Sequence, residues 1–347
     1  MPALFDRNYS RNDLLRKIGN VTQLGGTRSV ELQDGSERGV RAIDFDTGTG
    51  FRFTVLPDRA MDVFSASYCG RSLCWHSPSG AVAPSYYEPQ GLGWLRSFPG
   101  GLVVTCGLTQ AGGPCADAGE ELGLHGRVSN IPVRNVCHGT CWEGDAVVMF
   151  AEGTVIQASL FGHQLRLTRR ITARIGENRL FLSDCVENIG FEPAPHMIVY
   201  HCNFGFPVID EGTRLISPTE SVQPLNADTE KDMVYDTFSG PMPHYGERVY
   251  DHKVRPAADG TVRLELRNDS FDSGRGFGAY MTYDYEQLPR LTQWKMLGEG
   301  AYVVGLEPGN SSVKGRAAAR ESGELVELAP GESRQYALEI GVLPATA

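Results

Sequence analysis

Two imidazoles and a carboxylate in this chain stand in contexts that would hold a side chain still. His125 lies in the glycine-flanked segment GLHGRVSN (123–130), His201 follows the apolar run Ile198-Val199-Tyr200, and Glu307 follows Val303-Val304-Gly305-Leu306 and precedes Pro308-Gly309. Brought together, groups of these types can give and take protons near neutral pH, because burial and mutual contact readily move their pKa values. They would equally serve as ligands of an open metal site, the arrangement of a metal-dependent lyase or hydrolase. Each also has a plainer reading: a loop histidine, a hydrogen-bonded core histidine and a surface turn glutamate. A carboxylate that ends an apolar strand is costly unless it is paired or opens into a cleft, which makes Glu307 a functional hint. Taken singly, none of the three supports a mechanism.

The elements that must position them are strands. Apolar and polar residues alternate in 50–56, 146–150, 164–175, 179–188, 261–267 and 335–342, each broken off by Gly, Pro, Asn or Asp, as in half-buried strands. Gly176-Glu177-Asn178 between two such runs marks a hairpin. With 41 glycines and 20 prolines the chain has turns for many short strands and little room for long helices. The expectation is an all-β chain, a large antiparallel β-sandwich. One short helix is expected at 12–18 with Asn12 as its cap. The segment 86–130 is rich in glycine and poor in alternation. Its Trp94, Leu95, Phe98 and Leu102-Val103-Val104 speak for ordered loops that form part of a pocket.

Composition narrows the function classes. The formal net charge of −10 and the lack of a Lys/Arg cluster exclude nucleic acid as an expected partner. Residues 1–13 carry Asp6, Arg7, Arg11 and Asp13 where a signal peptide would be apolar, and no run is long enough to span a membrane. Eight dispersed cysteines suit reduced thiols in a cytoplasm. Cys137 and Cys141 lack a second pair that would complete a zinc site.

Taken in chain order, the three polar residues acquire more weight. Leu124-His125-Gly126, then His201-Cys202-Asn203-Phe204-Gly205, then Leu306-Glu307 with Asn310, resemble the three motifs of the aldose 1-epimerase (galactose mutarotase-like) superfamily. Arg127 stands in place of a second motif glycine and Pro308-Gly309 in place of a Thr-Gln pair, so the chain resembles a divergent branch. The resemblance implies one galactose mutarotase-like sandwich over 1–347 with a short extension at 1–20. It also implies an isomerase that interconverts sugar anomers, needing no cofactor. In its mutarotases a glutamate takes the anomeric hydroxyl proton while a histidine protonates the ring oxygen. These roles fall to Glu307 and His201, facing each other across the sugar ring, while His125 hydrogen-bonds the sugar and Asn203 contributes to binding.

Further ligands are expected on chemical grounds. Arg59 and Asp62 in VLPDRAMDV (55–63) would suit vicinal hydroxyls or an anion, although a salt bridge explains them equally. Arg127 suggests an acidic or phosphorylated sugar. Trp75, Trp94, Phe204 and Trp294 are candidate platforms for a pyranose, of which one or two should touch a ligand. Asp272 and Asp284 are alternatives for a third acidic ligand, and His244 sits in a loop that could reach a pocket. The partner is then a small carbohydrate, with homodimer formation left open. Beside the isomerase stand the metal-dependent enzyme and a non-catalytic carbohydrate-binding protein, since fold resemblance does not establish chemistry.

Overall fold

The structure is a computed structural model and describes residues 1–343. Two large antiparallel sheets carry the architecture. An eight-stranded sheet runs Arg134–Glu143, Ala146–Ala158, Gln164–Arg174, Arg179–Asn188, Ser333–Val342, Phe277–Asp284, Thr261–Asn268 and Arg214–Ile216 in spatial order. The alternating segments of the sequence all become strands, and the run at 146–150 continues to Ala158. The hairpin at 176–178 joins Gln164–Arg174 to Arg179–Asn188, with Ala173 opposite Leu180. A five-stranded sheet from Gly26–Glu31 to Arg71–Ser72 packs alongside.

The second large sheet holds six strands that matter for function, numbered along the chain: β1 (Val104–Leu108), β2 (Ala194–Gly205), β3 (Thr219–Pro224), β4 (Arg248–Val254), β5 (Arg290–Leu297) and β6 (Tyr302–Gly309). Their spatial order is β3-β4-β5-β6-β2, and β1 pairs with β2 as well. Between the sheets lies the main core. Leu165, Leu167, Ile171, Leu180, Leu182 and Val186 meet Ile198, Tyr200, Cys202, Phe204, Val304 and Leu306 there. Full burial of such side chains stabilises the fold by about 1.5–3 kcal/mol each.

The helix near the N-terminus spans Arg11–Leu15, and its cap is Ser10 rather than Asn12. The Ser10 hydroxyl accepts the Asp13 N–H while the Asp13 carboxylate accepts the Ser10 N–H, a reciprocal box that fixes the start two residues earlier. The first twenty residues lie against the body: Leu4 joins the main core and Leu14 is buried. Among the described residues no helix is long and apolar enough to cross a membrane.

Candidate active site

Strand periodicity divides β2 between two environments. Ile198, Tyr200, Cys202 and Phe204 enter the main core, so Val199, His201 and Asn203 must emerge on the other face. On β6, Val304 and Leu306 likewise enter the core and Gly305 and Glu307 emerge. The ladder places Cys202 opposite Leu306, and hence His201 opposite Glu307. Their side chains meet, with His201 Nε2 3.2 Å from Glu307 Oε1. Gly305 makes this contact fit: a Cβ there would lie 2.7 Å from Glu307 Oε1 and 3.1 Å from His201 Cε1.

Burial decides how the pair is protonated. Glu307 is pushed up to about 8 by loss of solvent, with the Glu247 charge adding to the effect. His201 is pushed down to about 4 by burial, against the opposing pull of the Asn203 carboxamide. Loss of solvent thus disfavours the charged form of each group and favours the neutral pair, a carboxyl beside an unprotonated ring. Among the described residues His201 Nδ1 and Asn203 Oδ1, both buried, have no well-aligned partner. A proton on Nδ1 would make them donor and acceptor, leaving Nε2 to accept from the Glu307 hydroxyl.

His125 completes the group from the long loop region. Its ring stands edge-on to His201 with centroids 5.7 Å apart, and its Nδ1 accepts the Gly112 N–H at 3.4 Å. That contact assigns the proton of the neutral ring to Nε2. Burial and the neighbouring His201 hold its pKa down to about 3, so it is a neutral donor at physiological pH. The walls are aromatic: Trp94 stacks on Phe98 at 4.5 Å and leans on His125 at 4.7 Å, while Trp294 lies 5.6 Å from His201. Together with Trp75 and the apolar Leu92, Leu95 and Met296 they enclose a cleft of about 950 Å³. A pocket with apolar walls and a few converging polar groups is the usual form of a small-molecule site.

Comparison with known proteins fits this geometry. Residues 37–342 match the family model described as Domain of unknown function (DUF4432). The chain belongs to that family. A crystal structure from Klebsiella pneumoniae, described as a candidate aldose 1-epimerase, is similar with 26% identity and a TM-score of 0.85 over 92% of this chain and 83% of that one. A galactose mutarotase-like protein from Clostridium acetobutylicum shares the fold with a TM-score of 0.65 at 12% identity, over 93% of this chain and 99% of that one. An Escherichia coli protein described in the same terms as that of Klebsiella gives 0.54 at 14% identity, over 85% and 96%. No curated protein matches. The fold of this DUF4432 member is therefore galactose mutarotase-like, on a branch apart from the characterised mutarotases.

Several expected ligands of the DUF4432 chain have other duties. Arg59 is buried and donates to the carbonyls of Ser129, Val82 and Ser97 at 2.7, 2.7 and 2.8 Å, so it pins the loops that carry the cleft wall and does not line the cleft itself. Asp62 is buried in an ion pair with Arg169 at 2.8 Å and accepts from Thr105. Asn203 is fully buried, where it can steady His201 but not reach a ligand. Arg127 is exposed and lines a separate 210 Å³ cavity with Gln157 and His163. Phe204 belongs to the core, whereas Trp75, Trp94 and Trp294 line the cleft. Asp272 pairs with Arg71 and Asp284 caps a turn at Glu286, and His244 is an exposed loop residue outside the cleft.

Besides Glu307 the cleft is lined by the acidic Glu247, whose Oε2 accepts the Trp294 indole N–H at 2.9 Å. Thr292 and Lys314 also line it. Nothing in the local sequence around these three marks them, because Thr292 comes to this face through strand register, Glu247 from the residue before β4, and Lys314 from a loop bridged to Gly112. Among the described residues no three His, Cys, Asp or Glu side chains are gathered as a ligand set for one metal ion.

Proposed function

We propose that this protein interconverts the anomers of a reducing sugar by acid–base ring opening and closure, in the cytoplasm that its dispersed cysteines suit. The observation that carries the reading is the contact of Glu307 with His201, buried at 3.2 Å on the floor of an aromatic cleft. The two oxygens that must exchange protons are bonded to a single anomeric carbon. An acid and a base held side by side can serve both, and adjacent positions on paired strands provide such a pair.

The resting protonation reverses the roles that the superfamily resemblance implies. Glu307 starts protonated and gives its proton to the ring oxygen, while neutral His201 takes the proton of the anomeric hydroxyl. The bond between the anomeric carbon and the ring oxygen breaks, leaving an open-chain aldehyde between an imidazolium and a carboxylate. Rotation about the adjacent carbon–carbon bond presents the other face. On closure the carboxylate takes the proton of the ring-forming hydroxyl and the imidazolium returns one to the carbonyl oxygen, which restores the starting pair. His125 donates its Nε2–H to a sugar oxygen, and the indoles offer apolar faces to the ring.

Saturation transfer between anomer resonances, measured by NMR across aldoses, uronates and sugar phosphates, tests the proposal. Exchange well above the uncatalysed rate is expected for at least one of these sugars. Binding of a sugar with no acceleration of its exchange would favour a non-catalytic carbohydrate-binding protein instead.

A further inference from the structure

The acid–base pair is the end of a longer row. Glu307 stands opposite Thr292 on β5, and Thr292 stands opposite Asp251 on β4. His201, Glu307, Thr292 and Asp251 therefore cross four strands at one level of one sheet face. Strands lie ~4.8 Å apart, so Asp251 is about 10 Å from Glu307, further than a single pyranose bound over the pair would extend. Beyond Thr292 the cleft opens into an annex of about 310 Å³, with Leu225, Thr292 and Lys314 forming the boundary shared by both.

The two compartments differ in chemistry. Where the main cleft is walled by indoles and aliphatic groups, the annex is lined by Asp251, Arg290, Ser312, Lys314, Ser322 and Glu324. Arg290 and Glu324 pair with each other. Asp251 is half-buried, with its pKa raised by loss of solvent, and among the described residues its carboxylate has no hydrogen-bond or ion-pair partner. The side chains of Ser312, Thr292 and Lys314 make no hydrogen bond within the described residues either. A half-buried carboxylate, two hydroxyls and an ammonium thus face one small space with their hydrogen-bonding capacity unspent. Such mixed donors and acceptors match vicinal hydroxyls better than they match a net anion, which Asp251 and Glu324 would repel.

We propose that the annex is a second saccharide subsite and that the substrate is a reducing disaccharide or longer, whose reducing ring sits over Glu307 and His201 and whose next ring is held by Asp251, Ser312 and Lys314. This rests on the anomer-exchange reading for the role of the first ring, while binding in the annex stands apart from it. Lys314 is held in place by its strand-like bridge to Gly112, whose amide also orients His125. Both rings are therefore positioned by one rigid corner of the loops.

The test measures anomer exchange and, separately, binding by calorimetry for maltose, cellobiose, lactose and melibiose against glucose and galactose. At least one disaccharide is expected to exceed its monosaccharide at least tenfold in kcat/KM. That ratio should fall at least tenfold in Asp251→Ala and in Ser312→Trp, which fills the annex. Tighter binding of a disaccharide that is lost in both variants, without exchange on any sugar, would uphold the subsite and overturn the isomerase. Exchange on monosaccharides with no disaccharide preferred or better bound would overturn the subsite and leave the isomerase standing. A preference for glucose 6-phosphate that disappears in Lys314→Met would overturn it in favour of an anion site.

Discussion

Two clusters of ionisable groups lie on opposite sides of the sheet that contains β2, one between the two large sheets and one in the cleft, and they are finished to different degrees. On the core face Arg169 and Asp184 stand opposite each other in the inward rows of the eight-stranded sheet. Arg169 donates to both Asp184 oxygens, to Asp62, to the Ala60 carbonyl and to Thr105, which uses all five of its donors. The Tyr200 hydroxyl adds a 2.6 Å bond to Asp184. On the cleft face Glu307 and His201 have each other, and among the described residues His201 Nδ1 and Asn203 Oδ1 lack well-aligned partners. The first cluster is compensated and the second is not. Burial of charge therefore marks function here only where the hydrogen-bonding inventory is left open.

Removing one member should separate the two most sharply. Arg169→Met leaves Asp62 and Asp184 buried without their cation and should cost about 3–5 kcal/mol of unfolding free energy, read by denaturant titration. A loss below 1 kcal/mol would show that the core network is not the compensated one.

The opposite sign is expected on the cleft face. Glu307 has a folded pKa of about 8 against an ordinary 4.5, so its neutral form is the one the fold accepts. Its stabilising contribution is complete below pH 4.5 and is lost as pH rises through 8. Glu307→Gln should therefore be more stable than the parent at pH 9, by an amount on the order of a few kcal/mol, and the gain should shrink toward pH 5. His125 and His201 work the other way: their folded values of about 3 and about 4 mean that stability is lost as pH falls below their ordinary value of 6.5. Thermal melts from pH 4 to 9 read both limbs. The same pair predicts a plateau of kcat/KM between about pH 4 and 8, where it holds one proton, with a decline on either side.

A smaller effect probes the fit of the pair. Gly305→Ala presses a methyl group on both Glu307 and His201. It should lower kcat by about tenfold, a misplacement effect, with stability reduced by roughly 1–3 kcal/mol for overpacking. Unchanged kcat would mean that the spacing of the two groups is not critical.

The contrast between the faces also explains what the sequence made legible. Alternation exposed the strands because each has one face in the core, and His201 and Glu307 were visible as polar residues at the ends of apolar runs. Arg59 and Asp62 had the right types for sugar ligands but serve buried networks. Asp62's partner Arg169 is 107 positions away, and no local pattern announces such a pairing. Asp251, Thr292 and Lys314 were silent for the same reason: the row that unites Asp251 and Thr292 with the pair exists only through strand register. Asn12 lost the helix cap to Ser10 because the reciprocal bond with Asp13 satisfies two backbone donors where Asn12 would have satisfied one.

The central claim is that Glu307 and His201 together carry the proton exchange, and anomer saturation transfer on a folded Glu307→Gln variant tests it most directly. Once a responsive sugar is found, the exchange rate should fall ~10²–10⁴-fold in Glu307→Gln and in His201→Asn. The double variant should lose far less than the product of the two, as expected of groups acting as a unit. A Glu307→Gln protein that keeps its fold and exchanges anomers at nearly the parent rate would contradict the account.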